Sequence, residues 1–287
     1  MARRKLFLCI AWVVLLAYTV GYGLVLVGPF SPRVSLGESE KVGVALFLTL
    51  CLAGLVLPAV SAVRGLRRYL SAALAVSSAA VLASAAVPPL VLGSFDAGLT
   101  LLGIASAALY GALCASLRVR LPSWSPVEVA TVSVFSALTA VLTGVVGAAF
   151  PSPTGGYTHI GDAGIFIAAL LFGPKVGCAV GVIGPLIADL LLGYPRWFVS
   201  VLAHGVEGVI AGLGRSRGLP ARAALLALAG LFMASTYFVV NVYIKGYGPA
   251  VVSFIRDLFG QAGVSLVISL VVCSAVEKAL PSLSRWR

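Results

Sequence analysis

Charge is what this chain has least of. Only 10% of its 287 residues are Asp, Glu, Lys or Arg, against 60% hydrophobic, and the mean hydropathy is +1.09. A soluble domain of this length would expose far more charge, so composition excludes the soluble classes and points to a polytopic membrane protein. Acids are scarcest, 9 carboxylates against 20 Lys and Arg. The net charge of +11 does not make a nucleic-acid binder, because the basic residues sit in short loops between apolar runs, as membrane topology requires. The five cysteines (Cys9, Cys51, Cys114, Cys178 and Cys273) all lie inside apolar runs and form no CxxC pair. With only two histidines to join them they do not make a metal cage, and they read as small apolar side chains. Neither a metal nor a cofactor is expected. The chain has no GK[ST] phosphate loop and no DxxxD or HExxH pair, so it is expected not to be an enzyme, and no repeated filter sequence marks an ion channel.

What the chain has in abundance is long apolar runs. A helix needs roughly 20 apolar residues to cross the bilayer, and about ten such runs are present, at 6–28, 42–63, 69–92, 97–116, 127–149, 161–173, 176–193, 197–213, 223–244 and 250–276. The first is too long for a secretory h-region and no small-residue cleavage site follows, so it reads as a transmembrane helix. The loop charges orient the chain. Arg3, Arg4, Lys5, Arg64, Arg67, Arg68, Arg118, Arg120, Lys175, Arg215, Arg217, Arg222, Lys278, Arg285 and Arg287 fall on one side, and Arg33, Lys41, Arg196 and Lys245 on the other. The positive-inside rule then makes both termini cytoplasmic in the cell membrane. The fold class expected is therefore all-α and polytopic, with about ten transmembrane helices.

The chain divides near residue 121. A basic, Pro/Ser-rich linker runs from Leu117 to Pro126, and Ser125-Pro126-Val127-Glu128 is a capping box with proline at the first helical position. Residues 1–121 hold four helices almost without ionisable groups. Residues 122–287 hold six, with polar residues inside most of them, concentrated between Phe150 and Gly212.

Charges inside a bilayer are costly and usually face a cavity or a partner. His204 and Glu207 are three apart, hence on one helix face, and read either as pocket lining or as a structural ion pair. Asp189 is placed to reach the pocket or to pair with Arg196. Asp162, at a helix start, is explained by capping and the helix dipole. The glycine-rich loop Thr154–Gly161 carries Tyr157 and His159. It lies on the extracellular side, and its glycines and aromatic ring suit a lid over a flat ligand. Tyr194, Trp197, Tyr237, Asn241 and Gln261 complete the candidate set for substrate binding. Arg256 and Asp257 are placed at the interface, with the last span starting near Leu258. The helix after the linker has small residues at helical spacing, among them Ser133, Ser136, Ala137 and Ala140, which permit close helix approach.

These residues carry a family likeness. Gly156-Tyr157-Thr158-His159-Ile160-Gly161-Asp162-Ala163, then Leu171-Phe172-Gly173-Pro174, Gly184, Ala188-Asp189-Leu190, Gly193-Tyr194-Pro195, and Glu207-Gly208 with Gly212 resemble the S component of energy-coupling-factor (ECF) vitamin transporters over residues about 125–280. The nearest branch is that associated with riboflavin and with pyrimidine or thiamine precursors. The resemblance implies a six-helix substrate-binding bundle, here preceded by a four-helix extension. It also implies capture of a vitamin or precursor from outside, under a lid at Phe150–Gly161. It implies docking of the first S-domain helix, through Ser133/Ala137 or Ser136/Ala140, on a separate transmembrane coupling protein driven by two ABC-type ATPases. One departure stands out: His204 takes a place where many relatives have lysine. A membrane sensor or interaction protein using the same pocket without transport is the alternative.

Overall fold

The computed structural model describes residues 2–27, 37–62, 66–91, 96–117, 123–152 and 157–280. Apart from one isolated bridge between Pro151 and Tyr157, the regular structure among these residues is helical. The chain forms two compact units, Met1–Ser123 and Trp124–Arg287.

The first unit contains α1 (Ala2–Val27), α2 (Glu38–Ser61), α3 (Leu70–Val91, entered through a short 3-10 turn) and α4 (Ala97–Ala115). Its core is built on Tyr18, Tyr22 and Phe47, which meet edge-on at centroid distances of 5.4–5.6 Å. The two phenol hydroxyls are satisfied by Ser84 Oγ (3.2 Å) and Thr100 Oγ1 (2.7 Å), as buried tyrosines require. Asp96 N-caps α4, accepting from the Leu99 N–H at 2.8 Å. The buried polar side chains described in this unit are serines and a threonine, with no charge among them.

The second unit contains α5 (Pro126–Ala149), α6 (Asp162–Phe172), α7 (Pro174–Leu191), α8 (Trp197–Gly212), α9 (Leu219–Lys245) and α10 (Tyr247–Ala279). The capping box opens α5: the Glu128 N–H donates to Ser125 Oγ (3.2 Å) and the Ser125 N–H to Glu128 Oε2 (2.9 Å). Helix α6 is apolar all round and every residue from Asp162 to Leu170 is buried, which is how an all-apolar helix behaves at the centre of a bundle. It packs against α5, α7, α8 and α10. Gly173 turns the chain into α7 at φ 94° and Gly246 turns α9 into α10 at φ 84°, a region open to glycine and costly for other residues.

Among the described residues, seven of the ten helices are long and apolar enough to cross a bilayer, and the described part of α1 together with α6 and α8 are shorter apolar helices. The protein is a multi-pass membrane protein. Helices α7 and α8 approach almost backbone to backbone. A Cβ at Gly177 or Gly208 would strike the other helix's main chain, and one at Gly181 would strike the His204 carbonyl. This small-residue seam lets two short helices lock without bulky side chains.

The last helix differs from expectation. It does not begin near Leu258 but runs unbroken from Tyr247, with Arg256–Gly263 wound as a π-helix. The wider turn changes which residues share a face, and it brings Asp257 and Gln261 into the core, 5% and 3% exposed. At the opposite end of the bundle, Arg222 on α9 grips Glu277 on α10 with two nitrogens (3.1 and 2.8 Å) and also bonds the Arg215 carbonyl.

Candidate functional site

One end of the second unit holds a polar cavity, partly open to solvent. It lies where α5, α7 and α9 end and α6, α8 and α10 begin, closed from above by the loop after α5. Of the ten residues expected to bind substrate, eight line it: Tyr157, His159, Asp189, Tyr194, His204, Tyr237, Asn241 and Gln261.

The loop is held shut by the Tyr157 hydroxyl, which donates to Asp189 Oδ1. The Tyr157 ring also meets Tyr194 edge-on at 5.8 Å. Burial and the adjacent Asp189 carboxylate raise the Tyr157 phenol well above its ordinary value, so it stays a donor. Gly147 leaves room for the ring, since a Cβ there would overlap it. The Asp189 alternatives are thereby resolved: its partner is Tyr157, while Arg196 donates to Tyr194 Oη at 3.2 Å and lies over that ring. Of the glycine-rich loop, residues 153–156 lie outside the described residues.

At the inner end of the cavity five polar side chains from three helices and the loop converge. His204 Nδ1 is 2.7 Å from Glu207 Oε2 and 3.4 Å from Asp162 Oδ1. Gln261 Nε2 donates to both Asp162 oxygens (3.3 and 3.1 Å). His159 accepts at Nδ1 from the Gly161 N–H (3.2 Å). Burial, with His204 and Arg256 nearby, holds its imidazole well below the usual histidine value. On the facing wall, Tyr237 donates to Ser200 Oγ at 2.6 Å.

Several expectations are corrected. Asp162 is not a cap: its side chain makes no capping bond, is fully buried, and faces His204 and Gln261. Glu207 does not line the cavity but stands behind His204. Trp197 is 42% exposed, against Phe198 rather than the cavity. On α5, Ser136 and Ala140 are buried within the bundle, where Gly184 packs on Thr139 and the Ser136 carbonyl, so they are closed to a partner; Ser133 and Ala137 face outward. Arg256 and Asp257 line the cavity as a pair, with Arg256 Nη2 2.7 Å from Asp257 Oδ1.

Thr143, Pro185, Ser200 and Lys245 also line the cavity and were not anticipated. Ser200 shares the His204–Glu207 face at i, i+4 spacing, a signal present in the sequence. Lys245 had been counted only as a loop charge.

The family model for the S component of the ECF-type riboflavin transporter matches residues 123–278. The thiamine precursor transporter HmpT of Lactococcus lactis subsp. cremoris is 29% identical over 147 residues, 51% of this chain and 85% of that protein. A Pyrococcus woesei protein, described as an uncharacterized protein in a gap 3' region, is 38% identical over 107 residues, 36% of this chain and 71% of its own length.

Proposed function

This chain belongs to the family of ECF-type riboflavin transporter S components, and from that premise we propose that it is the membrane substrate-binding subunit of an ECF-type uptake transporter. Its cargo is a vitamin or cofactor precursor, a flat heteroaromatic molecule of the riboflavin or thiamine-pyrimidine kind, as the likeness to a thiamine precursor transporter supports. The observation that carries the reading is the cavity itself. Polar side chains from five helices meet at one end of the bundle, under a loop latched by an aromatic residue. Tyr157, Tyr194 and Tyr237 supply ring faces, and Asp189, Asn241 and Gln261 supply donors and acceptors for a ligand's edge. The carboxylates have binding roles, not catalytic ones.

The cavity opens to the outside, and both termini are cytoplasmic. A separate coupling protein docks on the outward α5 face at Ser133 and Ala137, and two ABC-type ATPases drive toppling and release inside. We give the four-helix unit no part in binding, since its described core holds no charged group. The sensor alternative has no observation in its favour.

The test is a thermal-shift panel of vitamins and precursors on the purified full chain. A ligand at 100 times its Kd adds about 2.7 kcal/mol to stability, a shift of several degrees. A panel in which no member raises Tm overturns the reading.

A further inference from the structure

Three side chains at the inner end of the cavity have the arrangement of a metal centre. One ligand atom from each of His159, Asp162 and His204 lies within 4.8 Å of the other two, and all three residues are buried. The atoms that face one another are defined: Asp162 Oδ1 is 3.4 Å from His204 Nδ1 and 3.9 Å from His159 Nδ1. With metal–ligand bonds of 2.0–2.1 Å, tetrahedral edges run about 3.3 Å; the Asp162–His204 edge already matches, and His159 would move inward to complete the set.

The charges of this corner point the same way. Asp162 and Glu207 are both 0% exposed. Arg256 is spent on Asp257, and Gln261 brings amide hydrogens but no charge. His159 Nδ1 accepts from the Gly161 N–H, so it is not an imidazolium there, and it would exchange that bond for one to the ion. His204 alone faces two carboxylates, and Glu207 Oε1 has no hydrogen-bond partner. Unbalanced buried charge is expensive. A divalent ion would favour the charged form of the carboxylates while both imidazoles bind as neutral ligands, and the protons held in this corner would leave. Glu207 Oε2, 2.7 Å from His204 Nδ1, stands outside this set of three.

We propose that His159, Asp162 and His204 form a three-ligand site for a borderline divalent transition cation of the zinc, nickel or cobalt kind. Imidazole and carboxylate donors suit these ions. Because His159 and His204 also line the cavity, the ion presents an open position to whatever occupies the space above it. The site depends on these side chains and not on the identity of the organic ligand.

The test uses the full chain, purified without a histidine tag, stripped with EDTA and titrated with zinc, nickel or cobalt chloride. Thermal shift and metal content after desalting are the readouts. The expected result is one ion per chain, a rise in Tm, and visible ligand-field bands with cobalt. His159→Gln and Asp162→Asn lower the affinity by at least about tenfold. His204→Lys keeps a cation beside Glu207, and so the fold, but abolishes binding. Absence of stoichiometric binding, or equal binding by these variants, overturns the proposal. Running the vitamin panel in EDTA separates the two ideas: organic binding without metal binding refutes only the metal site, and metal binding without organic binding refutes only the vitamin reading.

Discussion

The Tyr157 hydroxyl donates to the Asp189 carboxylate, and this bond ties the loop after α5 to the last turns of α7 across the cavity. A hydrogen bond to a charged group contributes about 1.5–3 kcal/mol. Tyr157→Phe keeps the ring and removes the bond, so a bound ligand should dissociate about 10- to 100-fold faster while association changes little. Surface plasmon resonance on the captured protein checks this, and an unchanged off-rate would remove Tyr157 as the latch.

His204 and Glu207 should behave as one unit. Truncating either to alanine leaves the other buried without its partner, at a cost of about 3–5 kcal/mol. The double variant should cost clearly less than the sum, and both single variants should lose ligand affinity. Denaturant unfolding of the four proteins in a double-mutant cycle measures the coupling. Additive losses would show that the pair does not interact.

The α7–α8 seam predicts a contrast between glycines. Gly181→Ala drives a Cβ into the His204 carbonyl, which has no room to retreat, whereas Gly144→Ala meets nothing within 4 Å. Overpacking of this kind costs about 1–3 kcal/mol, and the α5 change should stay within about 0.5 kcal/mol. Gly181→Ala should also weaken ligand binding, because it displaces His204. Equal Tm values for the two variants would disprove the backbone contact.

Docking and binding should separate on α5. Ser133 and Ala137 face outward, so Ala137→Phe should abolish capture of the coupling protein in a pull-down while leaving ligand affinity unchanged. Ser136→Phe, inside the bundle, should instead lower Tm. Coupling that survives Ala137→Phe would move the docking face elsewhere.

Protonation of His159 should loosen the closed loop. Its folded-state value lies below the unfolded one, chiefly through burial. The stabilisation is therefore full above about pH 6.5, the ordinary histidine value, and is lost as pH falls from there toward the lower folded value. Melting temperature measured from pH 7.5 down to 5.5 should fall, and His159→Gln should flatten that part of the curve. An identical slope in the variant would mean that other groups carry it.

Much of the architecture was legible in the chain because it depends on local patterns. Apolar run length marked ten helices, and Ser125-Pro126-Val127-Glu128 marked the start of α5. Gly173-Pro174 marked the turn into α7. The three-residue spacing of His204 and Glu207 put them on one face. All of these need only helix geometry, bilayer thickness and the steric freedom of glycine.

The site was decided by packing between segments distant in sequence. Asp162 looked like a cap because an acid at a helix start usually is one; only the approach of Gln261, 99 residues away, makes it a buried acceptor. That approach depends on the π-helical turn at Arg256–Gly263, which follows no local propensity and rotates Asp257 and Gln261 inward. Trp197 had the right residue type on a promising helix but points away from the cavity. The sequence by itself therefore determined that this is a helical membrane protein with a polar cluster in its second half. Which polar atoms face one another, and that two histidines and an aspartate lie within coordinating reach, was decided by tertiary structure alone, because helix rotation and contact across the bundle are set by side-chain packing rather than by spacing along the chain.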